Sequence, residues 1–261
     1  MVRYLRLWYR FVVIALVHQI EYRVSFLVNI LVSLLSLGLA ILTYDILYSY
    51  TDNVAGWSQA EVLMVLGIFR MVEALIEVLI ARNMWSITNY LREGEMDYLL
   101  VRPASSQFMA TLRHVNLAEI TNVVIGLGLL IYAGTLAGVA WRPTEIAAAI
   151  VFGVSGFMLL YAVWCAAVTC GFWFQGGPLD TVLHWFLDTG RYPVTFFKGW
   201  VRLFFTFILP LAFASTFPAQ ALRGDVDGGL LLLGVVLACL ALVSANRFWN
   251  YGVRHYSSAS S

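Results

Sequence analysis

The amino-acid sequence predicts an all-α integral membrane protein, and two observations carry that prediction. The first is the spacing of charge. No Asp, Glu, Lys or Arg falls between Arg23 and Asp45, Glu119 and Arg142, Glu145 and Asp180, Arg202 and Arg223, or Asp227 and Arg247. A helix needs about 20 mostly apolar residues to cross roughly 30 Å of hydrocarbon, and each of these runs is near or above that length. The second is composition. The chain is 61% hydrophobic and 12% charged, with a mean hydropathy of +0.81, whereas soluble domains carry about 25% charged residues. A net charge of +1 without a basic stripe offers no footprint for nucleic acid. Cys165, Cys170 and Cys239 all lie in apolar runs and lack metal or disulfide spacing.

Taken in order, residues 1–23 carry Arg3, Arg6, Arg10 and Arg23 among Trp8, Phe11 and other apolar residues at helical spacing. That pattern predicts a helix lying in the membrane interface, not a signal peptide with a short apolar core. Spans are predicted over 24–48, 57–85, 108–136, 144–174 and 229–251, joined by a charged connection over 86–107. Arg and Lys cluster before the first span, around 86–107 (Arg82, Arg92, Arg102, Arg113) and after the last (Arg247, Arg254). The positive-inside rule then puts both termini and this connection in the cytoplasm, with the chain in the cell's inner (cytoplasmic) membrane.

The connection reads Tyr90-Leu-Arg-Glu-Gly-Glu-Met-Asp-Tyr-Leu-Leu-Val-Arg-Pro-Ala-Ser-Ser-Gln-Phe108. Gly94 is a break, Pro103 a stop, and Ser105 or Ser106 can cap the next helix. By composition this is a solvated loop with a short interfacial helix. The order Gly94, Asp97, Leu100, Arg102, Pro103 resembles the cytoplasmic connection of ABC-2 type permeases, the membrane subunits of ATP-binding-cassette exporters. A second resemblance is Arg191-Tyr-Pro-Val-Thr-Phe-Phe-Lys-Gly-Trp-Val-Arg202, followed by Ile208-Leu-Pro210 and Pro218-Ala-Gln-Ala-Leu222, similar to one bacterial branch of that family.

The resemblance implies a plan of six spans with a cytoplasmic coupling helix, docked on a separate ATPase through Glu93, Gly94, Asp97, Arg102 and Pro103. It implies ABC ATPase subunits and a second permease, identical or related, as partners among membrane lipids, with ATP and Mg held by the ATPase and no cofactor on this chain. It also bears on 175–228. Hydropathy and the positive-inside rule favour 203–222 as the fifth span. The family plan turns at Gln175-Gly-Gly-Pro178, makes 179–197 the fifth span, and folds 199–222 into an outer re-entrant hairpin broken at Pro210 and Pro218. The family plan is the one adopted here.

Charges left inside the spans mark function or packing, because each costs about 2.5–3.5 kcal/mol at mid-bilayer even on a lenient scale. Asp180, His184 and Asp188 recur at every fourth position on one helix face. They are expected to line the transport path or, alternatively, to meet the cytoplasm or an ATPase. Arg70, Glu73 and Glu77 share a helix face, and Glu119 sits with Asn116 and Asn122 on the next span. Interhelical pairing of Arg70 with a carboxylate is the simplest expectation.

The sole lysine, Lys198, lies between Phe197 and Gly199, so no Gly-Lys-Ser/Thr phosphate loop exists. ATP hydrolysis is expected on another polypeptide. The expected function is therefore a permease subunit exporting an amphipathic, lipid-like or natural-product substrate, not an enzyme. A membrane enzyme acting on lipid, with Asp180, His184 and Asp188 as acid–base or metal groups, is the alternative.

Overall fold

The computed structural model describes residues 2–21, 23–102, 104–174 and 179–256. Pro103, and the side chain of Asp180, lie outside the described residues. Among those residues the fold is helical, with a lone β-bridge between Val54 and Trp57.

The N-terminal helix α1 (Val2–Glu21) precedes α2 (Arg23–Tyr48), whose bounds match the predicted first span. Much of α2 is bare of protein contact: Leu27, Leu31, Leu35, Leu39 and Ile46 are all exposed. Next, α3 (Gln59–Ile76) opens on a reciprocal cap. The Ser58 hydroxyl accepts from Glu61 N at 3.4 Å, and Ser58 N donates to the Glu61 carboxylate at 2.8 Å, satisfying two donors at the helix start. A π-helical turn, Glu77–Ala81, links α3 to α4 (Arg82–Glu93), so helical structure continues past residue 85, the expected end of the second span. Gly94 ends α4 in the left-handed region at φ 74°. The short helices α5 (Met96–Leu100) and α6 (Ser106–Thr111) follow, the latter capped by Ser105.

The predicted third span, 108–136, is not one helix. The chain is irregular over 112–116, makes a 3₁₀ turn at Leu117–Glu119, and only then forms α7 (Ile120–Leu136). The cause is a tether to the π-helical turn and to the first turn of α4. Buried Asn83 donates to His114 O and accepts from His114 N, both at 2.7 Å, while Asn116 N donates to Val78 O at 2.9 Å. These bonds satisfy a backbone that leaves helical form. Beyond the tether, α7 crosses α3 with backbone contact. A Cβ added to Gly67 would lie 2.7 Å from Leu130 N, and one on Gly126 2.8 Å from Gly67 O.

Helix α8 (Pro143–Phe174) matches the predicted fourth span and packs beside α12 (Gly228–His255), the last. Phe172 meets Trp249 edge-on at 5.5 Å, and Trp173 stacks on Phe248 at 5.6 Å. Among the described residues, four helical stretches are long and apolar enough to cross a membrane: Phe26–Tyr48, Leu117–Leu136, Pro143–Phe174 and Gly228–His255. The charges Arg70, Glu73 and Glu77 set α3 apart from them.

The predicted fifth span, 179–197, is only partly α-helical. Nine residues form α9 (Leu179–Leu187), about 13 Å long. Two 3₁₀ turns, Asp188–Arg191 and Val194–Phe196, continue the path around Pro193, which has no N–H to extend a helix. This segment climbs α3 from one end to the other. His184 lies at Glu77, a Cβ on Gly190 would be 2.8 Å from the Phe69 ring, and Thr195 accepts from Trp57 Nε1 at 2.7 Å. Side chains satisfy its irregular backbone: Ser215 and Tyr44 hydroxyls donate to Gly190 O and Arg191 O, each at 2.8 Å, and Thr216 Oγ1 accepts from Val194 N at 3.0 Å.

Helix α10 (Gly199–Leu203) extends through a π-helical stretch to Ile208, and a second π-helical stretch leads into α11 (Phe217–Leu222). The two limbs, 199–208 and 212–222, are bent by 75° at Leu209, Pro210 and Leu211. The limbs start and finish near Trp57. Thr195 precedes the first, and Arg223 after the second lies 4.9 Å over the Trp57 ring and 3.1 Å from Glu61. Along α8 the second limb reaches Gly156, where a Cβ would run into the Ala214 backbone.

Candidate functional site

Arg70 sits about 16 Å along α3 from Gln59, roughly half of a bilayer core. Its Nη1 lies 3.3 Å from the Glu73 carboxylate, and its Nη2 donates to Ser36 Oγ of α2 at 2.8 Å. The expected interhelical pairing of Arg70 with a carboxylate is thus corrected. The carboxylate is on the same helix, one turn away, and the link between helices is a hydroxyl. The partner of Glu119 is Asn122, whose amide donates at 2.6 Å within one turn.

The carboxylate contact between helices is at Glu77, whose Oε1 lies 3.6 Å from His184 Nδ1 of α9. Asp188 turns to Arg191 instead, with Arg191 Nη2 2.7 Å from its carboxylate and Arg191 Nε donating to its backbone carbonyl at 2.9 Å. The structure therefore brings His184 to the α3 charges and gives Asp188 a neighbour in its own 3₁₀ turn.

These groups form a seam that the described residues leave partly exposed. Side-chain exposure is 19% for Arg70, 22% for Glu73 and 29% for Glu77, rising to 52% for His184 and 61% for Asp188. Hydrocarbon is a poor neighbour for such a seam. Among the described residues, no three His, Cys, Asp or Glu side chains converge as a metal would require.

The 86–107 connection is a second region of interest. Met96 and Leu99 anchor α5 in the core, while Glu93, Glu95, Tyr98 and Arg102 are exposed and Asp97 is half-buried. The connection is braced by α1, since Tyr4 OH accepts from Ser105 N at 3.2 Å and the Tyr4 and Phe108 rings meet edge-on at 4.9 Å. Trp249 of α12 donates to Ser106 Oγ at 3.1 Å.

Ser36, Asn83 and Tyr44 escaped the sequence reading. A polar side chain within an apolar run was the available signal, but serine and tyrosine are ordinary in spans. Only Asn83, fully buried within the second span, carries an amide costly enough to leave unpaired that it demanded a partner.

Searches of curated proteins and of solved structures gave no match. A family model described as an ABC-2 family transporter protein matches residues 34–260. That match takes in every element from within α2 to the end of α12, the 86–107 connection and the exposed charged seam among them. The chain therefore belongs to the ABC-2 transporter family, as a multi-pass membrane permease of the kind that associates with an ABC ATPase subunit.

Proposed function

We propose that this permease forms half of a transmembrane path for ATP-driven export of an amphipathic, lipid-like or natural-product cargo. A separate ATPase, holding ATP and Mg, supplies the energy, and a second permease, identical or related, supplies the other half of the path. The observation that carries this reading is the uncovered seam of Arg70, Glu73, Glu77, His184 and Asp188. Ions at that depth need protein or water beside them, and a partner permease enclosing a polar path provides both. Asp180, one helical turn before His184, belongs to the same proposed lining by its position on α9.

In this reading both termini and the connection are cytoplasmic, in the inner membrane. The 179–197 segment crosses as the fifth span, and 199–222 is a re-entrant hairpin from the outer side. Support comes from the climb of 184–195 along α3 and from the two hairpin ends meeting at Trp57. Glu93, Gly94, Asp97, Arg102 and Pro103 form the docking region for the ATPase. Its exposed charges and the brace from α1 suit a lever that moves as one piece.

The test is a gentle-detergent pull-down of the tagged chain from native membranes, with mass spectrometry of stoichiometric partners. A P-loop ATPase should co-purify with the wild type and be lost with Asp97→Arg. Repeated recovery of the intact chain alone would overturn the proposal.

A further inference from the structure

A cleft of about 860 Å³ opens between α1, the start of α2 and the tethered 112–118 segment, away from the charged seam. Arg82, Arg102, Arg113 and His114 line it, and no acidic side chain is among the described lining residues. Among the described side chains, no carboxylate forms an ion pair with any of these three arginines. The rest of the lining includes Phe11 and Ile14 of α1, Phe26 of α2 and Leu117. Cations beside apolar side chains, at the end of a membrane bundle, suit a ligand that is itself divided into an anion and a hydrocarbon part. Guanidinium groups match phosphate oxygens in pairs. The volume is in the range that holds a small organic ligand.

The basic wall is built and held in place. The two bonds from Asn83 clamp the His114 backbone, and the Asn116–Val78 bond fixes the other side of the same loop. His114 Nε2 has no hydrogen-bond partner among the described residues. Burial first, and then the neighbouring Arg113 and Arg82, hold the imidazole below its ordinary range.

We infer that this cleft binds a phosphate-bearing anion, supplied in the membrane by an anionic phospholipid with its headgroup at Arg82 and Arg113 and its chains along α1 and α2. Such a lipid joins α1 to the bundle where direct packing is sparse. This inference stands apart from the transport path and from the identity of the cargo.

The experiment is native mass spectrometry of the full chain in mild detergent, titrated with phosphatidylglycerol, phosphatidylcholine or inorganic phosphate. Phosphatidylglycerol should be retained about tenfold more tightly than phosphatidylcholine, the scale of one charge-assisted contact. Arg82→Gln with Arg113→Gln should erase that preference, whereas Arg142→Gln, at the far end of the bundle, should keep it. Should the double variant fail to give a monodisperse species, the single variants and Arg113→Lys read the same preference, and Lys should retain part of it. Displacement of phosphatidylglycerol by equimolar inorganic phosphate would identify a free phosphate as the ligand and overturn the lipid assignment. Equal retention of both lipids, or a preference unchanged by the arginine substitutions, would overturn the site itself.

Discussion

Glu77, in the π-helical turn that follows α3, and His184 on α9 face each other at 3.6 Å, and this contact registers the 179–197 segment against the charged end of α3. Both side chains remain partly exposed, so the pair is available to a cargo or partner as well as to itself. His184→Leu should leave expression and ATPase association intact while lowering transport about tenfold or more, the scale of one charge-assisted contact. The check is transport in vesicles of a candidate cargo set alongside partner recovery. Full transport by this variant would remove His184 from the path.

Arg70 and Glu73 are a partly buried pair with a third contact to Ser36. Removing one charge leaves the other uncompensated, which costs more than removing both. Arg70→Met should lower stability in detergent by about 1–3 kcal/mol, and Arg70→Met with Glu73→Met should recover part of the loss. Additive effects in this double-mutant cycle would show that the pair is not coupled.

The glycines on α7 offer an internal control. Gly126→Val drives a side chain into the α3 backbone at Gly67, and overpacking of this kind costs about 1–3 kcal/mol. Gly128 has open space around its Cβ position, so Gly128→Ala should be neutral or slightly stabilising, as alanine favours helix. Thermal unfolding of the two variants side by side decides it.

His114 links stability to pH. Its imidazole is held below the ordinary value by burial and by Arg113 and Arg82, so the unfolded chain takes up a proton before the folded one does. The stabilising contribution is therefore complete above the unfolded value of about 6.5 and lost as pH falls through the lower, folded value. Measured from pH 7 downward, wild type should lose more stability over that window than His114→Gln. Parallel curves would refute the linkage.

Topology can be read chemically. Trp200 is highly exposed at the start of the hairpin. A cysteine there, in a background without Cys165, Cys170 and Cys239, should react with an impermeant maleimide from the outer side only. Labelling from the cytoplasm would make 203–222 the fifth span instead.

Much of the fold was legible in advance, for identifiable reasons. The positions of α2, α8 and α12 follow from uncharged runs flanked by charges, although their ends do not fall on those charges, and Gly94 was a visible stop because its backbone adopts a conformation that other residues resist. The split of the third span was hidden. Phe108–Leu136 is apolar enough to be read as one helix, and its interruption comes from Asn83, some thirty positions earlier in the chain. The partners of Arg70 were equally hidden, since helical spacing offers Glu73 and Glu77 alike and says nothing of Ser36.

By itself, then, the sequence determined that this is a membrane protein, roughly where its longest apolar helices lie, and which connection carries the family pattern. Those properties depend on the local cost of placing charge or bare backbone in hydrocarbon, which each short stretch carries alone. Only the tertiary structure decided that 112–116 is pinned to a π-helical turn, that 184–195 climbs α3, and that the hairpin returns to Trp57. It also decided that a polar seam and a basic cleft remain open at separate places. These depend on which helix faces meet, and close approaches such as Gly67 to Gly126 and Gly156 to Ala214 settle that choice across long separations in the chain.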